Sequence, residues 1–159
     1  MFALPAPFTL RDIGADDQAF LDALYRSTRD DLAGIAAEPA VLAALIGHQQ
    51  RMQSAGYRSM FPDAAYFVVE RAGAPIGRLV VQAGPQHLHL IDIAIAAQAR
   101  RQGAGRALVS ALQAWAQARR LPVILNVAHS KPGAARLYAD LGFVTTAQDA
   151  LQQSMRWPA

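Results

Sequence analysis

Arg100–Leu108 (RRQGAGRAL) separates two stretches of different period. Before it, Leu88–Ile95 (LHLIDIAI) is an apolar run of strand length. After it, Leu108, Ala111, Leu112 and Trp115 recur at helical spacing. A second apolar run, Pro122–Val127 (PVILNV), follows that helix. A strand, a helix and a strand in this order form a right-handed crossover, so the two strands should lie parallel in one sheet. Gly103 and Gly105 stand at the junction, where a missing side chain lets backbone approach a ligand closely. The free amides of the helix's first turn can face an anion there. Arg100, Arg101 and Arg106 add positive charge. The junction reads as a phosphate cradle.

The rest of the chain supplies the frame. Phe8–Arg11 is a short strand candidate, and Asp16 or Asp17 can cap a helix after it. Phe20, Leu21, Leu24, Tyr25, Thr28, Leu32 and Ile35 form one helical face. Pro39 sits near the start of a second helix striped by Leu42, Leu45, Ile46, Gln49 and Gln53, with Gly56 as its end. Three strands follow: Ala65–Arg71, Ile76–Gln82 and Leu88–Ile95. The intervening turns, at Ala72–Pro75 and Gly84-Pro85, are short enough for an antiparallel meander. After the crossover, a helix from about Pro132 to Leu141 has Gly142 as its C′ residue. Two strands, near Phe143–Thr146 and Gln152–Trp157, close the chain. The expectation is one α/β domain with a mixed α+β sheet over residues 1–159, its core about 8–157.

Composition narrows the function. At 159 residues, 53% hydrophobic and 17% charged, the chain suits one globular domain. It has no cysteine, which excludes disulfides, thiolate metal sites and a cysteine nucleophile. No apolar run has membrane-spanning length and the first residues do not resemble a secretory signal, so cytoplasm is the expected location. The net charge of +3 comes almost wholly from arginine, and Lys131 is the only lysine. No basic run exceeds two residues, so a nucleic-acid surface is not expected. Asp12–Glu38 holds seven acids against Arg26 and Arg29, whereas Arg71–Arg136 holds nine bases against Asp92.

Two familiar phosphate motifs do not fit. A P-loop ends in Gly-Lys-Ser/Thr, but here Gly105 precedes Arg106-Ala107. A dinucleotide fingerprint needs a third glycine and a later acid; Leu108 occupies the glycine's place, and Val123–Val127 carries no acid. Arg100-x-x-Gly103-x-Gly105 does resemble the Gln/Arg-x-x-Gly-x-Gly/Ala signature of the GNAT superfamily of N-acetyltransferases. AARLYADLGF, ending in Phe143, is similar to that family's Ala-x-x-x-Tyr-x-x-x-Gly-Phe segment. The order of elements agrees over nearly the whole chain.

The resemblance implies acetyl-coenzyme A as cofactor. Its pyrophosphate would lie on Arg101, Gln102, Gly103, Ala104, Gly105 and Arg106, screened also by Arg100. Its pantetheine arm would follow the strand bearing Ile93 and Ile95, as a false strand where the parallel pair splays. Tyr138 matches the family tyrosine that serves the departing thiolate, and a phenol with a pKa of ~10 is protonated at neutral pH. Lys131 stands where the family often has Asn and is a phosphate contact candidate, with Asn126 and Ser130 as replacements for the lost hydrogen bond. Asp92, the sole acid between Glu70 and Asp140, is the first candidate for the base that takes the amine's proton. His89, Glu70 and ordered water are the others.

In the family, the first two helices and their connection cover the acceptor. Here that region holds Tyr25, Arg26, Arg29, Asp30, Asp31, Gln49, Gln50, Gln53 and Tyr57, with Tyr25, Arg29, Gln49 and Gln53 as the leading contacts. Its acidic bias favours a cationic amine, small or peptidic. The expected protein is an N-acetyltransferase, monomeric or homodimeric, that binds neither nucleic acid nor membrane. A non-catalytic acyl-coenzyme A-binding module is the alternative.

Overall fold

In a computed structural model, residues 2–29, 32 and 34–158 are described. Asp30 and Asp31, named above beside the acceptor, lie outside them. In chain order the elements are β1 (Phe8–Asp12), α1 (Gln18–Ser27), α2 (Pro39–Met60), β2 (Ala65–Arg71), β3 (Ala74–Ala83), β4 (Leu88–Ile95), α3 (Ala104–Gln117), β5 (Val123–Ala128), α4 (Pro132–Asp140), β6 (Val144–Gln148) and β7 (Gln152–Trp157). They build one sheet in the order β1-β2-β3-β4-β5-β7-β6. Only β4 and β5 run parallel, as the crossover requires; all other neighbours are antiparallel.

Local chemistry explains the boundaries, including those that differ from expectation. α1 stops at Ser27 instead of continuing to Ile35. The Ser27 hydroxyl donates to the Leu24 carbonyl and the Thr28 hydroxyl to that of Tyr25, competing with the backbone in the last turn. Leu32 then packs separately with Tyr25, Leu42 and Ile46. α2 runs through Gly56 to Met60, because a single glycine costs a helix only about 1 kcal/mol. The Asp17 carboxylate does not cap α1; it accepts from the Gly14 amide at 2.7 Å and from Arg11. The β2–β3 turn narrows to Ala72-Gly73, both at positive φ (50° and 80°), the geometry that suits a two-residue hairpin loop. Gly142 follows α4 at φ 86°, as its C′ place demands.

The main core lies between the sheet and the crossover. Leu108, Val109, Leu112 and Ala116 of α3 pack against Leu79, Val81, Leu88, Leu90, Val123 and Leu125. Each fully buried aliphatic side chain contributes about 1.5–3 kcal/mol. Two irregularities then shape the site. β4 and β5 pair only at Leu88↔Val123, His89↔Ile124 and Leu90↔Leu125, after which β5 continues to pair with β7. On the other side of β4, Val80 opposes Asp92 while Val81 opposes Leu90, so Ile91 is an extra residue. Such a bulge bends and twists its strand. The far half of β4 therefore has an open edge. No helix among the described residues is long and apolar enough to cross a membrane.

Candidate active site

The open edge of β4 forms one wall of a cavity of about 630 Å³. Ile93, Ala94 and Ile95 line that wall, Arg101, Gly103, Gly105 and Arg106 one end, and Lys131, Ala134, Leu137 and Tyr138 the opposite side. Ser27 and Thr28, at the end of α1, border it. The cradle, the strand and the tyrosine expected from the sequence thus meet in one space. No acidic residue lines it among those described.

Backbone geometry makes the cradle end. Gly103 is the N-cap of α3 at φ 85°, a conformation that side chains resist. The amides of Ala104, Gly105 and Arg106 have no partner within the helix, because only from Ala107 onward does an N–H reach a carbonyl four residues back. A Cβ at Gly105 would meet Leu137 Cδ2 at 3.2 Å, so glycine keeps α3 and α4 close. Arg101 adopts φ 58°, turning the chain into the helix. The edge of β4 is equally defined. The Ala96 amide donates to Ile76 O on the β3 side at 2.8 Å. Strand alternation then directs the polar backbone groups of Ile93 and Ile95 toward the gap.

Two of the expected cradle side chains are otherwise engaged. Arg100 Nε donates to Ile95 O at 2.9 Å, and its Nη2 donates to Ser27 O at 2.8 Å. It ties β4 to the C-terminal carbonyls of α1, where a helix favours a cation. Gln102 accepts from Arg71 and donates to Gln98 O. Arg101, Arg106 and Lys131 are the cations left to face an anion; Arg106 also lies 3.9 Å from Asp140 in an exposed pair. Asn126 points away from the cavity: its Oδ1 accepts from Ser154 across β5 and β7.

Tyr138 is buried, packs against Phe143 and has no hydrogen-bond partner among the described residues. Burial, and then the charge of Asp92, push its phenol pKa well above the ordinary value. The hydroxyl stays protonated at neutral pH and is available as a donor.

Asp92 faces α2 from β4. Arg78 Nε lies 2.9 Å and Nη2 2.7 Å from its Oδ2. Arg78 Nη2 also donates to Gln53 Oε1 at 3.0 Å, and the guanidinium lies 5.8 Å from the centroid of the Tyr57 ring. Burial, and then Asp92, raise the Tyr57 phenol to about 12. Asp92 Oδ1 has no partner among the described residues. Gln53 thus contacts Arg78, and Arg78 is the functional candidate that the sequence reading missed. Its signal was present: a lone cation in the apolar strand IGRLVVQ faces the only acid of the next strand.

The other candidates are placed as clearly. Glu70 is bound by Arg11 at 2.7 Å on the β1–β2 side, and neither cavity touches it. His89 packs edge-on against Phe61, and burial lowers its pKa. Tyr25, Arg29 and Gln49 form their own cluster: Arg29 donates to the Tyr25 hydroxyl and, at 3.3 Å, to Gln49.

Comparison with known proteins agrees with this geometry. No curated protein matches the chain significantly. Among solved structures, an acetyltransferase from Thermus thermophilus superposes with a TM-score of 0.69 over 100% of both chains at 15% identity. The PaiA N-acetyltransferase of Thermoplasma acidophilum, solved in complex with coenzyme A, gives 0.67 over 96% of this chain and 99% of that one at 14% identity. A spermidine N-acetyltransferase chimera from Vibrio cholerae and hSSAT gives 0.63 over 96% of both at 22% identity. These likenesses show the fold. Residues 22–143 match the family described as acetyltransferase (GNAT), and the chain belongs to that family.

Proposed function

We propose that the protein is an N-acetyltransferase that moves the acetyl group of acetyl-coenzyme A directly onto a primary amine. One observation carries the reading: a single cavity joins the start of α3 to Tyr138 along the open edge of β4. Its residues suit the coenzyme. Free amides and the cations Arg101, Arg106 and Lys131 match a pyrophosphate. Ile93, Ile95 and Leu137 offer an apolar passage for the pantetheine arm, and unpaired backbone along β4 offers it hydrogen bonds.

Acetyl-coenzyme A supplies an activated acyl group: an N–C bond forms, the C–S bond breaks, and of two protons lost by the ammonium one goes to a base and one to sulfur. The chain provides the groups around that exchange. Tyr138 holds a proton within the cavity and serves as its donor. The Ile95 amide, on the open edge, is the donor for a developing oxyanion. Asp92 Oδ1 takes the amine's proton, directly or through water, while Arg78 holds Oδ2 and fixes the carboxylate's direction. Glu70 and His89 do not compete for that role, given their positions.

The test is calorimetric titration with acetyl-coenzyme A, followed by a thiol-release screen of amines. Binding together with release that depends on an added amine supports the proposal. Binding with no amine acetylated indicates an acyl-coenzyme A-binding module instead. Absence of binding overturns the reading of the cavity.

A further inference from the structure

A second cavity, of about 410 Å³, lies between α1, α2 and the sheet face that carries Tyr66 and Arg78. Tyr66, Val80 and Asp92 are successive cross-strand partners, so they share this face. Arg78, two residues from Val80, shares it as well. The cavity therefore sits about one strand spacing, ~4.8 Å, from β4, whose far edge opens onto the first cavity. The Arg78–Asp92 pair stands between the two.

The lining of this cavity is cationic. Arg51, Arg58 and Arg78 contribute to it, and no described acidic residue does. Arg78 is committed to Asp92 and Gln53. Arg51 and Arg58 make no ion pair among the described residues. Arg58 lies over the Tyr66 ring, 5.5 Å from its centroid. The Tyr66 hydroxyl is buried yet has no hydrogen-bond partner among the described residues. Burial raises its pKa, so it remains a donor. A buried donor left unmatched costs free energy, and an acceptor from a ligand would remove that cost.

No described polar group supplies that acceptor. Gln50 is 1% exposed, and its amide is already engaged by Gln18 and Ser54. Nor do the described acids of the Asp12–Glu38 stretch line the cavity: Asp17 is held by Arg11, and Asp22 accepts from Gln18. The acidic bias of the sequence thus does not carry over into an acidic pocket among the described residues.

We propose that this cavity seats an oxyanion of the acceptor, so the acceptor is an amine that also bears a carboxylate or a phosphate. The inference rests on the acetyltransferase reading and names the substrate class of the same site. The acid group would sit against Arg58, Arg51 and the Tyr66 hydroxyl, with the amine reaching past Arg78 toward Asp92. Charge-assisted hydrogen bonds of this kind are short, directional and strong.

The test compares matched acceptors in the thiol-release assay: each protein amino acid, β-alanine and 4-aminobutyrate against its carboxamide, and phosphoethanolamine against ethanolamine. The expected result is at least one acid-bearing acceptor favoured by roughly tenfold or more in kcat/KM over its neutral match. The carboxylate and phosphate arms identify the source of the oxyanion. Arg58→Gln and Tyr66→Phe should then raise KM for the favoured acceptor far more than they lower kcat, and should shrink the discrimination. Preference for neutral or polycationic amines overturns the inference, as does an equal effect of Arg58→Gln on both members of a pair. Calorimetry separates the two readings. Acetyl-coenzyme A binding without acetylation of any acid-bearing amine overturns the inference and leaves the cofactor cavity standing; loss of binding overturns both.

Discussion

Replacing Asp92 by Asn separates the two roles its position permits. In the wild type, Oδ2 lies 2.9 Å from Arg78 Nε and 2.7 Å from Nη2, and the two side chains are only 18% and 7% exposed. Breaking a buried ion pair by removing one partner costs about 3–5 kcal/mol, because the other charge stays desolvated. Asn keeps one oxygen acceptor, and Arg78 keeps Gln53 at 3.0 Å and the face of Tyr57. The cost should therefore fall near the lower end, about 3 kcal/mol. Urea unfolding measures it, and a typical domain stability of ~5–15 kcal/mol leaves the variant mostly folded. Activity can then be expressed per folded molecule. If Oδ1 takes the amine's proton, kcat/KM falls by roughly 10²-fold or more and the acidic limb of the pH–rate profile flattens. Asp92→Leu combined with Arg78→Met should regain stability, since a hydrophobic pair often replaces a buried ion pair without loss, but should not regain activity. A destabilisation below about 1 kcal/mol refutes the ion-pair argument. Near-normal activity per folded molecule with an unchanged profile refutes the base and leaves ordered water.

Other perturbations address separate parts of the structure. Tyr138→Phe keeps the ring against Phe143 and should lower kcat by roughly 10²–10⁴-fold with little change in calorimetric affinity for coenzyme A; a normal kcat would reduce Tyr138 to a packing residue. Because burial and Asp92 raise the Tyr138 pKa, wild-type kcat should show no loss from its ionisation between about pH 7 and about pH 9. Gly103→Val places a Cβ in open space at φ 85°, so coenzyme A binding should vanish while left-handed strain lowers stability by about 1–2 kcal/mol; unchanged affinity would refute the cradle. Hydrogen bonds from Arg11, and then from Gly14, hold the Asp17 pKa at about 2 against an ordinary 3.8. Its stabilisation is complete above the unfolded value and is lost as pH falls toward 2, so the gap between wild type and Asp17→Asn in urea titrations should close over that range. A gap that persists at lower pH would show that another property of Asp17 is responsible.

Much of the frame was legible along the chain because its signals are local. Strand-length apolar runs and the 3.6-residue stripe around Leu108 and Leu112 defined the crossover. Gly103 and Gly142 marked a helix start and a helix end that need positive φ. The segment holding Tyr138 and the segment holding Gly103 carried the family resemblance. Local reading failed where a side chain chose between nearby partners. The stripe through Leu32 and Ile35 had the right period, but two hydroxyls ended α1 at Ser27. Arg100 reads as one of three cradle arginines, yet its guanidinium binds the carbonyls of Ile95 and Ser27.

The crossover, the glycine-marked start of α3 and the tyrosine on α4 are therefore written into single stretches of chain, since each depends on backbone preference or on spacing within one element. Three-dimensional packing sets which charges are neutralised. Arg78 and Asp92 are fourteen residues apart in the chain and meet through strand register, Gln53 joins them from α2, and Glu70 is taken by Arg11 from the far end of the sheet. It also decided the character of the second cavity, where Arg58 and Tyr66 converge beyond the acids that dominate the neighbouring sequence. Charge acts through space and is set by the nearest partner, so counts along the chain do not predict the charge of a pocket.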